Sequence, residues 1–285
     1  MLAIGKDKVE DLFELAPGIC LATKRERVDS YDFDFRNYFP VRTILGEVKS
    51  SLILRIGAIH NYQQVYDYFA ERGLHLVNSI EQHNNVSLLP NWYRSLQGFT
   101  PRSRVFEDIP TYDQLKEDFV FPIFIKGERQ TNKHRKELCI AESRSDFEKI
   151  SNAWKTDPIL SWQKMIVREF VDLIPIEAET ERQLQKSFEI RVFVWYGNII
   201  SFGQYWDSKN KIYIDKNDED KISELTKMVY ERLMTPFMVI DFAKKTNKEW
   251  IIIELNDAQE SGYAMNAKIN LWTRLIETGQ GKTMF

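Results

Sequence analysis

Three oxygen-bearing side chains, Asp241, Glu254 and Asn256, have the types and spacing needed to hold a hard cation. Asp241 lies in Val239-Ile240-Asp241-Phe242, and the other two lie in Ile251-Ile252-Ile253-Glu254-Leu255-Asn256 beyond a short polar turn. Side chains alternate along a strand, so Glu254 and Asn256 share one face while Ile253 and Leu255 point into a core. With the turn centred near Asn247, Asp241 comes within a residue or two of Glu254 across the hairpin, close enough for one ion to touch both. Hard divalent cations take oxygen ligands of this kind. The plain alternative is a half-buried strand pair whose polar positions are solvated.

Three cationic side chains further upstream bear on the same chemistry. Lys126 ends the apolar run Phe121-Pro122-Ile123-Phe124-Ile125 and is followed by Gly127 and a polar loop from Glu128 to His134, a position from which an ammonium reaches a phosphate. A strand-end lysine is more often simply in water. Arg191, inside Phe188-Glu189-Ile190-Arg191-Val192-Phe193-Val194-Trp195, shares a face with Glu189 and Phe193. Its planar fork suits phosphate oxygens, and a structural pair with Glu189 is the competing reading. Arg55 closes Leu52-Ile53-Leu54, where it either binds a substrate carboxylate or is a surface arginine. Other motifs fall away. Gly279-Gln280-Gly281-Lys282-Thr283 resembles the end of a phosphate loop, but position 276 is Ile where that motif needs its first Gly. His60, His75, His83 and His134 lack ligand spacing, and no Gly-x-Ser-x-Gly elbow occurs.

The elements that must position these residues alternate between helix and strand. Leu52 to Gly57 reads as a buried strand, Tyr62 to Arg72 as a helix stopped by Gly73, and Leu74 to Val77 as the next strand, making a βαβ unit of the kind that builds parallel sheets. Helices are expected around Asn91 to Leu96 and from Thr111 to Asp118, with a boundary near Ile109-Pro110. Strands then predominate: Val120 to Lys126, Met165 to Val171, and Ile190 to Trp195 turning at Gly197-Asn198 into Ile199 to Phe202. A helix from Glu219 to Leu233 precedes the Asp241 hairpin, and Met265 to Glu277 makes a closing helix. In the first 50 residues only Tyr31-Asp32-Phe33-Asp34-Phe35 shows a pattern, a strand-like alternation.

Bulk properties narrow the function class. The chain has 285 residues and a net charge of -3, which argues against a dominant nucleic-acid or membrane surface and for a small partner. Cys20 and Cys139 are far apart and fit neither a disulfide framework nor a zinc site. The opening Met1 to Lys8 turns charged too soon for a secretory signal, and no apolar run is long enough to span a bilayer, so a cytoplasmic protein is expected.

The order of a βαβ unit, a strand ending in Lys126, the strand Met165-Ile166-Val167-Arg168-Glu169-Phe170-Val171, the Glu-Ile-Arg strand, and then Asp241, Glu254 and Asn256 resembles the ATP-grasp superfamily of carboxylate-amine ligases. The likeness runs from Leu52 to Glu277, and the Glu-x-Asn ending after an Asp-bearing strand is its most specific part. Leu54-Arg55-Ile56-Gly57, Asn78-Ser79, Leu89 to Tyr93 and Thr100 to Ser103 look similar to a bacterial and phage clade in which arginine takes over from a usual lysine. The resemblance implies an α/β (α+β) fold: two ATP-grasp lobes with antiparallel sheets at 111–172 and 173–285, after an N-terminal arm and Rossmann-like pre-domain at 1–110. It places Lys126 on ATP phosphates, Glu169, Phe170 and Val171 along adenine, and Asp241, Glu254 and Asn256 on Mg2+. Arg191 takes the charge on the transferred phosphoryl group, and Arg55 faces the substrate. Two departures matter. The loop after Lys126 has only Gly127, which shifts phosphate coverage to Thr131, Asn132 and Lys133, and no lysine occurs between Lys49 and Lys116, which leaves Arg94 as the substitute by position.

The activity implied is ATP-dependent amide bond formation through an acyl-phosphate, between small-molecule or peptide carboxylates and amines. A catalytically silent Mg-ATP-binding module and an ATP-grasp kinase are the alternatives.

Overall fold

Three main sheets, each laid down by a different stretch of the chain, carry the fold. The computed structural model describes residues 2–4, 7–9, 11–23, 32–44, 51–57, 59, 61–129, 135–178 and 184–280. A small hairpin, β1 (Leu2–Ile4) with β2 (Asp7–Val9), stands apart from them.

The first sheet contains β3 (Asp11–Ala16), β4 (Ile19–Thr23), β5 (Arg42–Thr43), β6 (Ser51–Arg55) and β7 (His75–Leu76) in the order β5-β3-β4-β6-β7. The expected βαβ unit is present: α1 (Tyr62–Ala70) connects β6 to β7, which run parallel. Asn61 caps α1 by accepting from Gln64 N at 3.1 Å, and Gly73 follows it at φ +72°. The sheet as a whole is mixed, because β3 runs antiparallel to both β4 and β5. Of the expected strand from Tyr31 to Phe35, Tyr31 lies outside the described residues, and Asp32 to Phe35 form no strand. Asp34 instead caps a single 3₁₀ turn over Phe35–Asn37, and Phe33 stacks on Phe35 with ring centres 4.5 Å apart. Short acidic side chains compete locally for backbone N–H groups, which breaks the alternation.

The second sheet is antiparallel throughout. It orders β8 (Ser103–Phe106), β9 (Ile123–Gly127), β10 (Ile140–Ala141) and β11 (Met165–Glu169) as β10-β9-β11-β8. The third, also antiparallel, orders β12 (Glu189–Trp195), β13 (Asn198–Gln204), β14 (Phe237–Lys244) and β15 (Trp250–Asp257) as β13-β12-β14-β15. The tight β12–β13 turn uses Tyr196 at φ 45° and Gly197 at φ 79°, one residue earlier than the Gly-Asn pair predicts. Helices depart from expectation mainly at their ends. α2 (Ile80–Ser87) and α5 (Arg144–Trp154) carry no expectation. α3 (Leu89–Tyr93) passes into a 3₁₀ turn, and α4 (Tyr112–Leu115) is shorter than predicted. α6 (Lys216–Leu233) starts early because Asp215 accepts from Asp218 N, and α7 (Lys268–Gln280) starts late.

The third sheet is covered on both faces, and this positions the polar residues. On one face Ile190, Val192, Ile240, Phe242 and Leu255 pack under Ile222, Leu225 and Val229 of α6. On the other, Phe193, Trp195, Phe237 and Val239 pack under Leu271, Trp272 and Leu275 of α7, together with Phe13 and Phe35. Both cysteines are buried, and no disulfide joins them. Among the described residues, no helix is long and apolar enough to cross a membrane.

Trp272 is fully buried, sits edge-on to Phe35 with ring centres 5.0 Å apart, and donates from Nε1 to Tyr263 Oη at 2.7 Å. Trp272→Ala is expected to destabilise the protein by about 3–5 kcal/mol, read from urea unfolding. A loss under about 1 kcal/mol would mean that α7 does not hold this end of the sheet.

Candidate active site

Register brings one row of charge onto the third sheet. Arg191 on β12 stands opposite Asp241 on β14, which stands opposite Glu254 on β15. Directly paired residues point to the same face. The arginine forks onto the aspartate, Nε to Oδ1 at 2.8 Å and Nη2 to Oδ2 at 2.7 Å, and its Nη1 donates to the Gly262 carbonyl at 2.8 Å. Its carboxylate partner therefore lies across the strands, while Glu189 accepts from Trp206 Nε1 at 2.9 Å and from Ser187. Burial works to lower the Arg191 pKa, yet the Asp241 carboxylate holds it above its ordinary value.

A bulge sets this row. Asp241 pairs with Glu254, but the next residue, Phe242, pairs with Ile252, so Ile253 is the extra residue. This corrects the expectation that Ile253 enters the core with Leu255. Ile252 and Leu255 occupy the same core although three apart, and Ile253 lines the cleft. Without the bulge the strand's phase would send Glu254 into that core.

Lys126 reaches the row from the second sheet. Its Nζ donates to Glu254 Oε1 at 2.5 Å, and both residues are buried. Asn256, half-buried, stands opposite Val239 on the face shared with Glu254. Two carboxylates and an amide oxygen on one face fit a hard divalent ion. In this arrangement the carboxylates hold Lys126 and Arg191. Among the described residues, no three His, Cys, Asp or Glu side chains gather as a metal site.

Beside the row lies a cleft of about 650 Å³ lined by Glu169, Phe170 and Val171, with Phe124, Trp206 and Ile253 supplying further wall. An apolar cleft with a few convergent polar groups is the usual form of a small-molecule site. The structure thus brings together Lys126, Arg191, Asp241, Glu254 and Asn256, next to the 169–171 segment. It does not bring Arg55 or Arg94 to them. Arg55 is buried, donating to Asp32 Oδ2 at 3.0 Å and to the carbonyls of Ala258, Gln259 and Ser261 at 2.7, 3.2 and 3.0 Å. Arg94 is exposed in the 3₁₀ turn after α3. Lys133, with Thr131 and Asn132, lies outside the described residues.

Sequence reasoning missed several neighbours. His83 Nδ1 bonds Asp257 Oδ2 at 2.9 Å and its ring stacks on Tyr62 at 3.8 Å, while Arg129 pairs with Glu260 at 2.5 Å. Burial raises the Glu260 pKa, against the pull of Arg129. The His83–Asp257 and Arg129–Glu260 contacts join residues more than 100 positions apart and leave no local signal. Arg168 did have one, a charge inside the apolar run Met165 to Val171.

The family described as ATP-grasp domain, R-2-K clade family 3, matches residues 112–275, more than half of the chain. No curated protein gives a significant match. A RimK domain ATP-grasp protein from Sphaerobacter thermophilus DSM 20745 is similar in structure at 12% identity and a TM-score of 0.57, covering 80% of this chain and 80% of that one. The VanG D-Ala:D-Ser ligase from Enterococcus faecalis, 15% identical, gives a TM-score of 0.54 over 76% of this chain and 67% of its own. An ADP complex of N5-carboxyaminoimidazole ribonucleotide synthetase, 9% identical, gives 0.50 over 72% and 59%. At such identities the likeness is one of fold, and the mixed α/β architecture with antiparallel sheets agrees with it. With more than half of its length matched, the chain belongs to the ATP-grasp proteins, in family 3 of that clade.

Proposed function

We propose that the protein is an ATP-dependent ligase that joins a carboxylate to an amine. The observation that carries this is the row of Lys126, Glu254, Asp241 and Arg191 beside a cleft bordered by residues 169–171. In this reading 1–110 forms an arm and pre-domain, and 111–172 and 173–285 form two lobes around the nucleotide. Adenine lies along Glu169, Phe170 and Val171, and Lys126 binds phosphate. Magnesium held by Asp241, Glu254 and Asn256 would offset phosphate charge.

The chemistry then runs in two balanced steps. A substrate carboxylate oxygen attacks the γ-phosphorus of ATP, the bond to the β-phosphate oxygen breaks, and ADP leaves an acyl-phosphate behind. An amine attacks the acyl carbon, phosphate departs with the bonding pair, and the amine loses a proton to give the amide. Arg191 stabilises the charge on the transferred phosphoryl group, an effect worth several kcal/mol of barrier in a dry site. Arg55 acts on the substrate side by holding the 258–261 loop.

A screen of amino acids and peptides for ADP release, with mass spectrometry of products, tests the activity. An amide product with free phosphate supports it. A phosphorylated product without free phosphate identifies a kinase, and ATP binding with no turnover on any acid or amine identifies a silent module.

Three outcomes test the residue roles. Calorimetry should find ATP binding far weaker without magnesium, because the triphosphate would meet Asp241 and Glu254; equal affinity counts against the metal assignment. Arg191→Ala would leave the buried Asp241 carboxylate without its partner, so Arg191→Lys is the informative change. It should hold magnesium-ATP within about tenfold, roughly 1.4 kcal/mol, yet lose most ADP formation, because the fork is required mainly in the transition state. Glu254→Gln should lose both binding and turnover by removing charge from the metal face. Wild-type turnover in either variant would sink the corresponding role.

A further inference from the structure

His83 on α2 is 2% exposed and is held through one ring nitrogen only. Its Nδ1 meets Asp257 Oδ2 at 2.9 Å, and Glu260 Oε1 lies 3.6 Å from the same nitrogen. The ring lies flat on Tyr62, with centres 3.8 Å apart and planes 5° apart, so its direction is fixed. A carboxylate at Nδ1 favours the tautomer with the proton there, which leaves the lone pair on Nε2. Among the described residues Nε2 makes no hydrogen bond, yet it is not one of the sealed atoms without a partner, so it keeps an opening to solvent. Glu260 Oε1 is such a sealed atom. A buried carboxylate oxygen with no donor is costly, and the cost falls if positive charge arises beside it. Burial raises the Glu260 pKa, against the pull of Arg129 first and His83 second. Tyr62 is already satisfied: its hydroxyl donates to the Asn78 carbonyl at 2.7 Å and accepts from Gln259 Nε2 at 2.9 Å. Two carboxylates beside Nδ1 therefore favour an imidazolium formed by proton uptake at Nε2. A mere strut between α2 and β15 needs Nδ1 alone.

Position ties this pair to the charged row. Asp257 follows Asn256 directly, and Glu260 pairs with Arg129, three residues beyond Lys126. Just past β6, the Ile59 backbone N–H donates to Glu260 Oε2 at 3.1 Å, and α2 begins just past β7. These are the carboxyl ends of two parallel strands, where ligands of open α/β sheets bind. The segment that carries Asp257 and Glu260 runs on to Gly262, whose carbonyl accepts from Arg191.

We propose that His83 is the base for the amine substrate, its Nε2 accepting the proton that the amine nitrogen gives up on forming the amide, with Asp257 positioning the ring. Such a base is needed only if the chain is a ligase, the reading proposed for it. The amine N–H bond breaks with its electron pair left on that nitrogen, the Nε2 lone pair forms the new N–H bond, and the imidazolium later returns the proton to water. The amine class it serves is aliphatic, an α-amino group or a lysine-type amine. Such amines are ammonium ions at neutral pH and must lose a proton to react.

The test uses the full chain with magnesium-ATP and a panel of amino acids and peptides as acids, each offered an aliphatic amine or hydroxylamine as nucleophile. Hydroxylamine is uncharged at pH 7 and has no ammonium proton to lose before it attacks. His83→Asn keeps an N–H for Asp257 and removes Nε2, so amide formation at pH 7 should fall about a hundredfold or more relative to hydroxamate formation. The deficit should shrink as pH rises and free amine accumulates. Asp257→Asn, which no longer favours the proton on Nδ1, should lower the same ratio. In the wild-type chain, diethyl pyrocarbonate should modify His83 at pH 7, read by peptide mass spectrometry. Equal losses with both nucleophiles, or an unchanged ratio in either variant, overturns the assignment in favour of a strut. If the variants do not fold, the reactivity of the wild-type Nε2 decides, and an unmodified His83 overturns the assignment. A wild-type chain that forms neither amide nor hydroxamate with any acid overturns the ligase reading itself.

Discussion

The fold removes four charges from water, on Lys126, Arg191, Asp241 and Glu254, and their pairing constrains everything around them. An ion taken out of water is costly, and attraction to a partner repays that only at close, well-directed contact. Each of the four has such a contact on another strand, β9 to β15 in one pair and β12 to β14 in the other. Two sheets must therefore be held in register to within a hydrogen-bond length. The apolar packing of α6 against one face of β12–β15 supplies that rigidity, and α7 covers only the apolar end of the other face. That second face changes from apolar to charged along its strands, from Trp195 and Phe237 to Arg191 and Asp241, so one sheet serves as both core and site.

The N-terminal sheet bears on the site through a loop. Residues 258–261 follow β15 directly, and Arg55 gathers three of their carbonyls while Asp32 orients its Nε. Tyr263 donates to Asp32 at 3.0 Å, and Gly262 accepts from Arg191. Burial raises the Asp32 pKa against the pull of Arg55. His83, stacked on Tyr62 and bonded to Asp257, holds the end of β15 from a second direction. A segment without a motif of its own thus fixes the backbone that borders the face of Asp241 and Glu254.

How much of this was legible depended on the range of the interaction. The Asp241–Glu254 pairing was readable to within a residue or two, because strand alternation and a short turn are local, and the observed register pairs the two directly. The Ile253 bulge was not readable, since it is decided by Ile252 and Leu255 packing into one core. Lys126 was placed correctly at a strand end, but its contact with Glu254 spans 128 positions. Local competition also misled the reading: Asp34 as a cap defeated a plausible strand, and Asp215 as a cap lengthened α6. Arg55, expected to face the substrate, and Arg94, expected to replace a phosphate-binding lysine, were both placed by sequence position, and only the three-dimensional arrangement separates a buried clamp from a solvated side chain.

Pairing also links the ligands of the site to one another. A carboxylate that takes up a divalent ion must loosen its hold on the cation it already has, and a cation so loosened in a buried site needs another anion. At Asp241 and Glu254 those cations are Arg191 and Lys126, the two groups proposed to meet phosphate. On the proposed function, metal and triphosphate would each provide what the other displaces, so their joint arrival would preserve the charge balance of the buried row, whereas either alone would disturb it. Binding in such a site would be cooperative without any large movement of the sheets, because the rearrangement is a change of partners among side chains already in contact.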